Sequence, residues 1–158
     1  MLSILIPTFN HCVVNLVNEL HKQCNENDII FEILILDDSS TDKEISFNNM
    51  NLNSLFNVSY RLIKNNIGRS AIRNKLCHLS KYKWLLFLDA DVKINSKKFL
   101  RNYLDSIEDN CKVIYGGISY SEKTPRKEQI LRWKYGKKRE SKSLNSRIKT
   151  PYLSLLSS

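Results

Sequence analysis

Two short apolar runs in this chain stop abruptly at pairs of carboxylates. Ile33-Leu34-Ile35-Leu36 runs into Asp37-Asp38-Ser39-Ser40, and Trp84-Leu85-Leu86-Phe87-Leu88 runs into Asp89-Ala90-Asp91. A continuous apolar run of four or five residues is the pattern of a strand buried on both faces, as in a parallel sheet. Such strands deliver their last residues to the carboxyl edge of the sheet, where open α/β folds bind ligands. Carboxylates gathered there repel one another unless a cation lies between them. The pattern therefore points to a divalent-metal site for a phosphate-bearing ligand.

The rest of the chain supports this frame. Leu2 to Ile6 reads as a first strand ended by Pro7, and His11 to Cys24 carries apolar residues at helical spacing. Ile29 to Leu36 is strand two. Ser39 to Asp42 offers N-cap residues for an Asn-rich helix from Lys43 to Phe56. Val58 to Ile63 is strand three, Ser70 to Leu79 a helix, and Trp84 to Leu88 strand four. A helix from Lys97 to about Ile107 follows, capped by Ser96, and then a strand from Val113 to Tyr115 stopped by Gly116-Gly117. The alternation predicts an α/β fold with a doubly wound, mostly parallel sheet. Pro125 to Tyr135 reads as one helix, and Gly136 to Lys149 as a polar, mobile loop. Pro151 to Leu156 is apolar again.

The chain has 158 residues and a net charge of +9. Residues 1–92 carry 9 Lys/Arg against 10 Asp/Glu, a balance of −1, whereas residues 93–158 carry 16 against 6, a balance of +10. The basic part suits ligand phosphates or an anionic membrane surface. No nucleic-acid-binding motif accompanies it, so no nucleic acid partner is expected. No run is long enough to span a membrane and the N-terminus does not read as a signal peptide, so a cytoplasmic location is expected. The four cysteines have no metal or dense-disulfide spacing, and free, mostly buried thiols are expected.

Four motifs together resemble the inverting family 2 glycosyltransferases, which have the Rossmann-like GT-A fold and use nucleotide-sugar donors. They are Ser3-Ile4-Leu5-Ile6-Pro7-Thr8-Phe9-Asn10, Asp37-Asp38-Ser39-Ser40-Thr41-Asp42, Asn66-x-Gly68-x-x-x-x-Arg73-Asn74, and Trp84 through Asp91. The resemblance covers residues 2–117 well and the remainder loosely. It implies that Asp91 binds a divalent metal, Mn²⁺ or Mg²⁺, and that Asp89 contacts the donor ribose or the metal through water, with Ala90 between them at the donor. It implies that Asp38 accepts a hydrogen bond from the donor base, with uracil favoured, while Asp37 contacts the donor or holds the loop. Pro7, Thr8 and Phe9 would form the floor under the base, with core packing the alternative for Phe9. Arg73 would meet the base or the diphosphate, and Asn74 would brace the local backbone. Arg69 shares a helical face with Arg73, and a solvated basic stripe is its simpler reading. Gly116-Gly117 would begin the acceptor side, where Trp133, Tyr135 and Tyr152 are candidates to stack on a sugar.

An inverting transfer also needs a base for the acceptor hydroxyl. No carboxylate after Asp91 matches the family's base motif, and Glu122 is only a fallback. The resemblance thus implies an N-terminal portion. Residues 1–120 would be the donor-binding core, and 121–158 the basic, incomplete start of the acceptor region. The expected function is metal-assisted, inverting transfer from a nucleotide-diphosphate sugar to a glycan or lipid-linked acceptor, with a cell-envelope polysaccharide as product and possible contact of the basic segment with the inner face of the membrane. A catalytically inactive nucleotide-binding scaffold is the main alternative. A haloacid-dehalogenase-type phosphoryl-transfer enzyme fits less well, because Lys93 stands where its motif wants Thr or Val. A receiver-like signalling module fits least, because a strand and a helix precede the Asp37-Asp38 strand.

Overall fold

The computed structural model describes residues 1–149, and Tyr152 and the Pro151 to Leu156 run lie outside them. Two compact units divide the chain, Met1–Leu104 and Asp105–Ser158.

The first unit is built on four parallel strands: β1 (Leu2–Thr8), β2 (Phe31–Asp37), β3 (Val58–Leu62) and β4 (Trp84–Phe87), in the spatial order β3-β2-β1-β4. The helices are α1 (Val14–Glu26), α2 (Lys43–Met50), α3 (Arg69–Leu79) and α4 (Phe99–Asp105), whose last residue is the first of the next unit. From β1 to β3 the chain steps one way across the sheet, and from β3 to β4 it steps back past β1. Right-handed crossovers then place α1 and α3 on opposite faces.

The apolar residues divide accordingly, because successive strand residues point to opposite faces. Ile4, Ile6, Ile33, Ile35 and Leu86 pack with Val17, Leu20 and Cys24 of α1 and with Leu100 of α4. Leu5, Leu36, Leu34 and Leu85 pack with Ile72 and Leu76 of α3 on the other face. A sheet covered on both faces explains why its strands read as unbroken apolar runs.

Buried polar side chains tie the layers together. Gln23 of α1 accepts from the Leu100 amide at 3.2 Å and donates to the Ser96 carbonyl at 2.9 Å. Fully buried Asn49 of α2 accepts from the Val13 amide at 2.9 Å and donates to the His11 carbonyl at 2.9 Å, which fixes the loop after β1.

The expected helix over Lys43 to Phe56 is α2 followed by a 3-10 turn, Asn51–Ser54. Of the four thiols, only Cys24 is buried, and that burial pushes its pKa up to about 12. Cys12 and Cys77 are exposed, so the expectation of mostly buried thiols is corrected.

The second unit departs further from the sequence reading. Val113 to Tyr115 form no strand: Val113 is exposed, and among the described residues no ladder includes these three. The helix expected from Pro125 begins as a 3-10 turn, Lys127–Gln129, and continues as α5 (Ile130–Tyr135). The loop expected over Gly136 to Lys149 is instead largely helical, with a π-helical turn at Gly136–Glu140 and α6 at Leu144–Lys149. Polar pairing takes the place of an apolar stripe there. Glu140 accepts from Arg132 at 2.6 Å and from the Tyr120 hydroxyl, and the Tyr120 ring occupies the space a Cβ on Gly136 would need.

Candidate functional site

At the carboxyl edge of the sheet in the first unit, a cleft of about 290 Å³ is lined by Pro7, Thr8, Phe9, Asp38, Asn66, Gly68, Arg69, Ile72 and Arg73. These residues come from the end of β1, the end of β2, the loop after β3 and the first turns of α3. Phe9 is half exposed, so the core-packing alternative for it does not hold. Its ring lies on the wall of the cleft together with Pro7.

The acidic end of β2 splits into two roles. Asp37 is fully buried beneath the cleft. It accepts from the Ser40 amide at 2.8 Å and from the Tyr60 hydroxyl at 2.6 Å, so its carboxylate holds the loop. Burial raises the Tyr60 pKa, and its hydrogen bond to Asp37 raises it further. Asp38 stands on the wall. Its two carboxylate oxygens accept from the Ile67 amide at 2.8 Å and the Gly68 amide at 2.9 Å. Each carboxylate oxygen has a second lone pair, so Asp38 keeps acceptor capacity toward a ligand. Gly68 itself has φ of +86°, a conformation that favours glycine and turns the chain into α3.

Asn10 and Asn66 extend the site beyond the residues singled out for contact. Asn10, at φ of +48°, accepts from the Thr41 amide at 2.8 Å and the Asp42 amide at 3.1 Å, joining the β1 loop to the start of α2. Asn66 donates to the Asp38 carbonyl at 2.9 Å. Both stand within the quoted motifs, but their bonds reach main chain 28 to 32 residues away, which no local pattern announces.

The end of β4 reaches the cleft through charge. Asp89 is paired with Arg73 and, at 3.3 Å, with Arg69. Arg69 is therefore no mere solvated stripe, since it both lines the cleft and holds a carboxylate. Ala90 is partly buried and packs against the apolar core. Asp91 is exposed and makes no hydrogen bond or ion pair with the described residues. No group of three or more His, Cys, Asp or Glu among the described residues forms a ready-made metal cage. The donor set is one open carboxylate with a second held nearby. That suits an ion that takes one or two carboxylates and completes its shell with ligand phosphates and water. Asn74 is exposed and makes no side-chain hydrogen bond with the described residues, so the bracing expected of it is not seen.

In the second unit, the Arg147 guanidinium lies against Gly117 and donates to the Tyr115 carbonyl at 3.1 Å. Trp133 donates to the Ser121 carbonyl at 2.8 Å, with Lys137 4.9 Å from its ring centre. Tyr135 is exposed. Glu122, the fallback base, is paired with Lys137 at 2.8 Å. Arg132 and then Tyr120 hold the Glu140 carboxyl below its usual range.

A parallel sheet in this order, with a cleft of this composition at its carboxyl edge, is the architecture of GT-A glycosyltransferases. The glycosyl transferase family 2 profile matches residues 3–156, and the chain belongs to that family. A poly(ribitol-phosphate) beta-glucosyltransferase of Bacillus spizizenii is 30% identical over 124 residues, covering 74% of this chain and 19% of that protein. Among solved structures, S. aureus TarS 1-349 in complex with UDP-GlcNAc is 29% identical, with a TM-score of 0.53, covering 66% of this chain and 30% of that one. The mannosyltransferase PcManGT of Pyrobaculum calidifontis is 16% identical with a TM-score of 0.59, covering 83% of this chain and 38% of that one, and shares the fold. The chain thus spans well under half the length of these relatives. Among the described residues, no helix is long and apolar enough to cross a membrane.

Proposed function

We propose that the cleft binds the nucleoside diphosphate of a sugar donor, a UDP-sugar in the first instance, for inverting transfer of the sugar to a glycan or lipid-linked acceptor. The observation that carries this reading is convergence. Pro7, Thr8, Phe9, Asp38 and Arg73, far apart in sequence, line one cleft, and Arg73 ties Asp89 to it.

The roles follow from the chemistry of the groups. Phe9 and Pro7 offer an apolar floor to a planar base. The free lone pairs of Asp38 accept from a base N–H, and the two backbone amides already on it hold its carboxylate in place. A planar guanidinium at Arg73 meets phosphate oxygens in a bidentate way. Asp91, with Asp89, would hold Mn²⁺ or Mg²⁺, which supplies charge stabilisation for the departing diphosphate. In the transfer, an acceptor hydroxyl oxygen bonds to the anomeric carbon as the bond to the diphosphate oxygen breaks, and the hydroxyl proton passes to a base. Neither Glu122 nor Glu140 is assigned as that base: each is already ion-paired, and the Glu140 carboxyl is also held below its usual range, which makes it a weak proton acceptor.

The likeness to the poly(ribitol-phosphate) enzyme supports a cell-envelope polymer as the acceptor class. The 11 Lys/Arg against 3 Asp/Glu of residues 121–149, with exposed Leu131 and Tyr135 among them, support contact with an anionic membrane surface.

The test is thermal unfolding with UDP, GDP, ADP and CDP, each with and without Mn²⁺, in the wild-type chain and Asp91→Ala. A ligand bound only by the folded state raises the melting temperature. The expected result is a shift with UDP that Mn²⁺ enlarges, and loss of the Mn²⁺ increment in the variant. No shift with any nucleotide would overturn the reading.

A further inference from the structure

Arg69 and Arg73 stand one turn apart on α3, and both guanidiniums meet the same carboxylate, that of Asp89. Arg73 also donates to the Arg69 carbonyl at 3.3 Å, which holds the pair together. Both arginines line the cleft, and the Arg69 side chain is 67% exposed, so it is open to a ligand. A carboxylate flanked by two guanidiniums is a poor ligand for a further cation. A metal ion there would displace both partners and then sit beside two positive charges. Asp91 alone is a weak site.

We propose that Arg69 and Arg73 form an exchange clamp. In the ligand-free chain they hold Asp89. A nucleoside diphosphate in the cleft takes both guanidiniums, because two phosphates offer more acceptor oxygens and more charge than one carboxylate. Asp89 is thereby released to join Asp91 toward a divalent cation. The cation site is completed by nucleotide binding and does not stand ready beforehand. Arg69 thus gains a donor-binding role of its own. The proposal rests on the donor-site reading above and adds an order of assembly to it. Because coupling between two ligands is reciprocal, the cation also tightens nucleotide binding by keeping Asp89 from recapturing the arginines.

A cation bound only by Asp91 and the diphosphate would also favour nucleotide-first binding. The clamp differs in what removing an arginine does to the metal alone. Mn²⁺ binding without nucleotide is measured by calorimetry and by the electron paramagnetic resonance of free Mn²⁺. The proteins are the wild-type chain, Arg69→Gln, Arg73→Gln and the control Lys75→Gln, an exposed cation that does not line the cleft. UDP and GDP binding without metal is measured on the same proteins. The clamp predicts that each arginine variant binds Mn²⁺ alone about five-fold more tightly than wild type, the scale of one partly exposed ion pair. It also predicts that each binds the nucleotide about ten-fold more weakly, the scale of a hydrogen bond to a charged group. The Lys75 control should change neither. If wild type binds nucleotide but the arginine variants leave Mn²⁺ affinity unchanged, or if nucleotide affinity does not fall, the clamp is overturned. If wild type binds neither UDP nor GDP, the donor-site reading itself fails.

Discussion

The two units of this chain hold their shape by different means. In Met1–Leu104, strands alternate fully buried residues between two faces, and the polar groups kept inside are matched to partners: Asp37 to Tyr60 and Ser40, Asn49 to the β1 loop, Gln23 to α4. From Asp105 to residue 149, only Gly136 is buried, and the α-helices are six residues long. Isolated helices of that length are marginal. Their support here is polar, from the Arg132–Glu140 and Lys137–Glu122 pairs and the Tyr120 hydroxyl. A site that must place a carboxylate to within a fraction of an ångström is better built on the first kind of frame.

Truncating the core should separate the units most sharply. Ile33→Ala opens a cavity in a fully buried layer and is expected to cost about 2–5 kcal/mol in urea unfolding followed by circular dichroism. Leu131→Ala, at a residue 83% exposed, should stay within about 0.5 kcal/mol. Equal costs would dissolve the contrast. Next in size is Asp37→Asn. It weakens one buried and one part-buried hydrogen bond and turns an acceptor-only group into one with a donor to satisfy. The expected loss is about 1–3 kcal/mol, together with weaker nucleotide binding because the Ser39–Ser40 loop is no longer held. Unchanged stability would show that the β2 end is not the fixed point of the site.

The smallest effect is a pH dependence confined to the second unit. The Glu140 carboxyl titrates lower in the folded chain than in the unfolded one. Its contribution is therefore present above the ordinary carboxylate pKa of about 4 and is lost as pH falls through the depressed folded value. Amide hydrogen exchange, corrected for its intrinsic pH dependence, should show protection over residues 130–140 falling across that window in wild type and already reduced at neutral pH in Glu140→Gln. Protection that persists unchanged at low pH would remove Glu140 as the support.

The same contrast explains what could be read from sequence. Ile33-Leu34-Ile35-Leu36 before Asp37 and Asp38 announced a strand buried on both faces with acids at its end, and β2 has that form. Pro7, Thr8, Phe9, Asp38 and Arg73 were legible as candidates through the family motifs that contain them, and all five line the cleft. The pairing of Asp89 with Arg69 and Arg73 was not, since nothing in the spacing says that α3 turns this face toward the end of β4. For Asp37 the loop-holding alternative was legible but its partner was not, because Tyr60 lies 23 residues away on another strand. In the second unit no apolar period exists to be read, and ion pairs and hydrogen bonds between residues 8 to 20 apart leave no local signature.

The most direct test of the account is the map of backbone amide shifts when the ¹⁵N-labelled chain is titrated with UDP and Mg²⁺. The account predicts that the largest shifts fall at Thr8, Phe9, Asp38, Ile67, Gly68 and Arg69, with residues 105–149 little changed. Shifts centred in residues 121–149, or none at all, would contradict it.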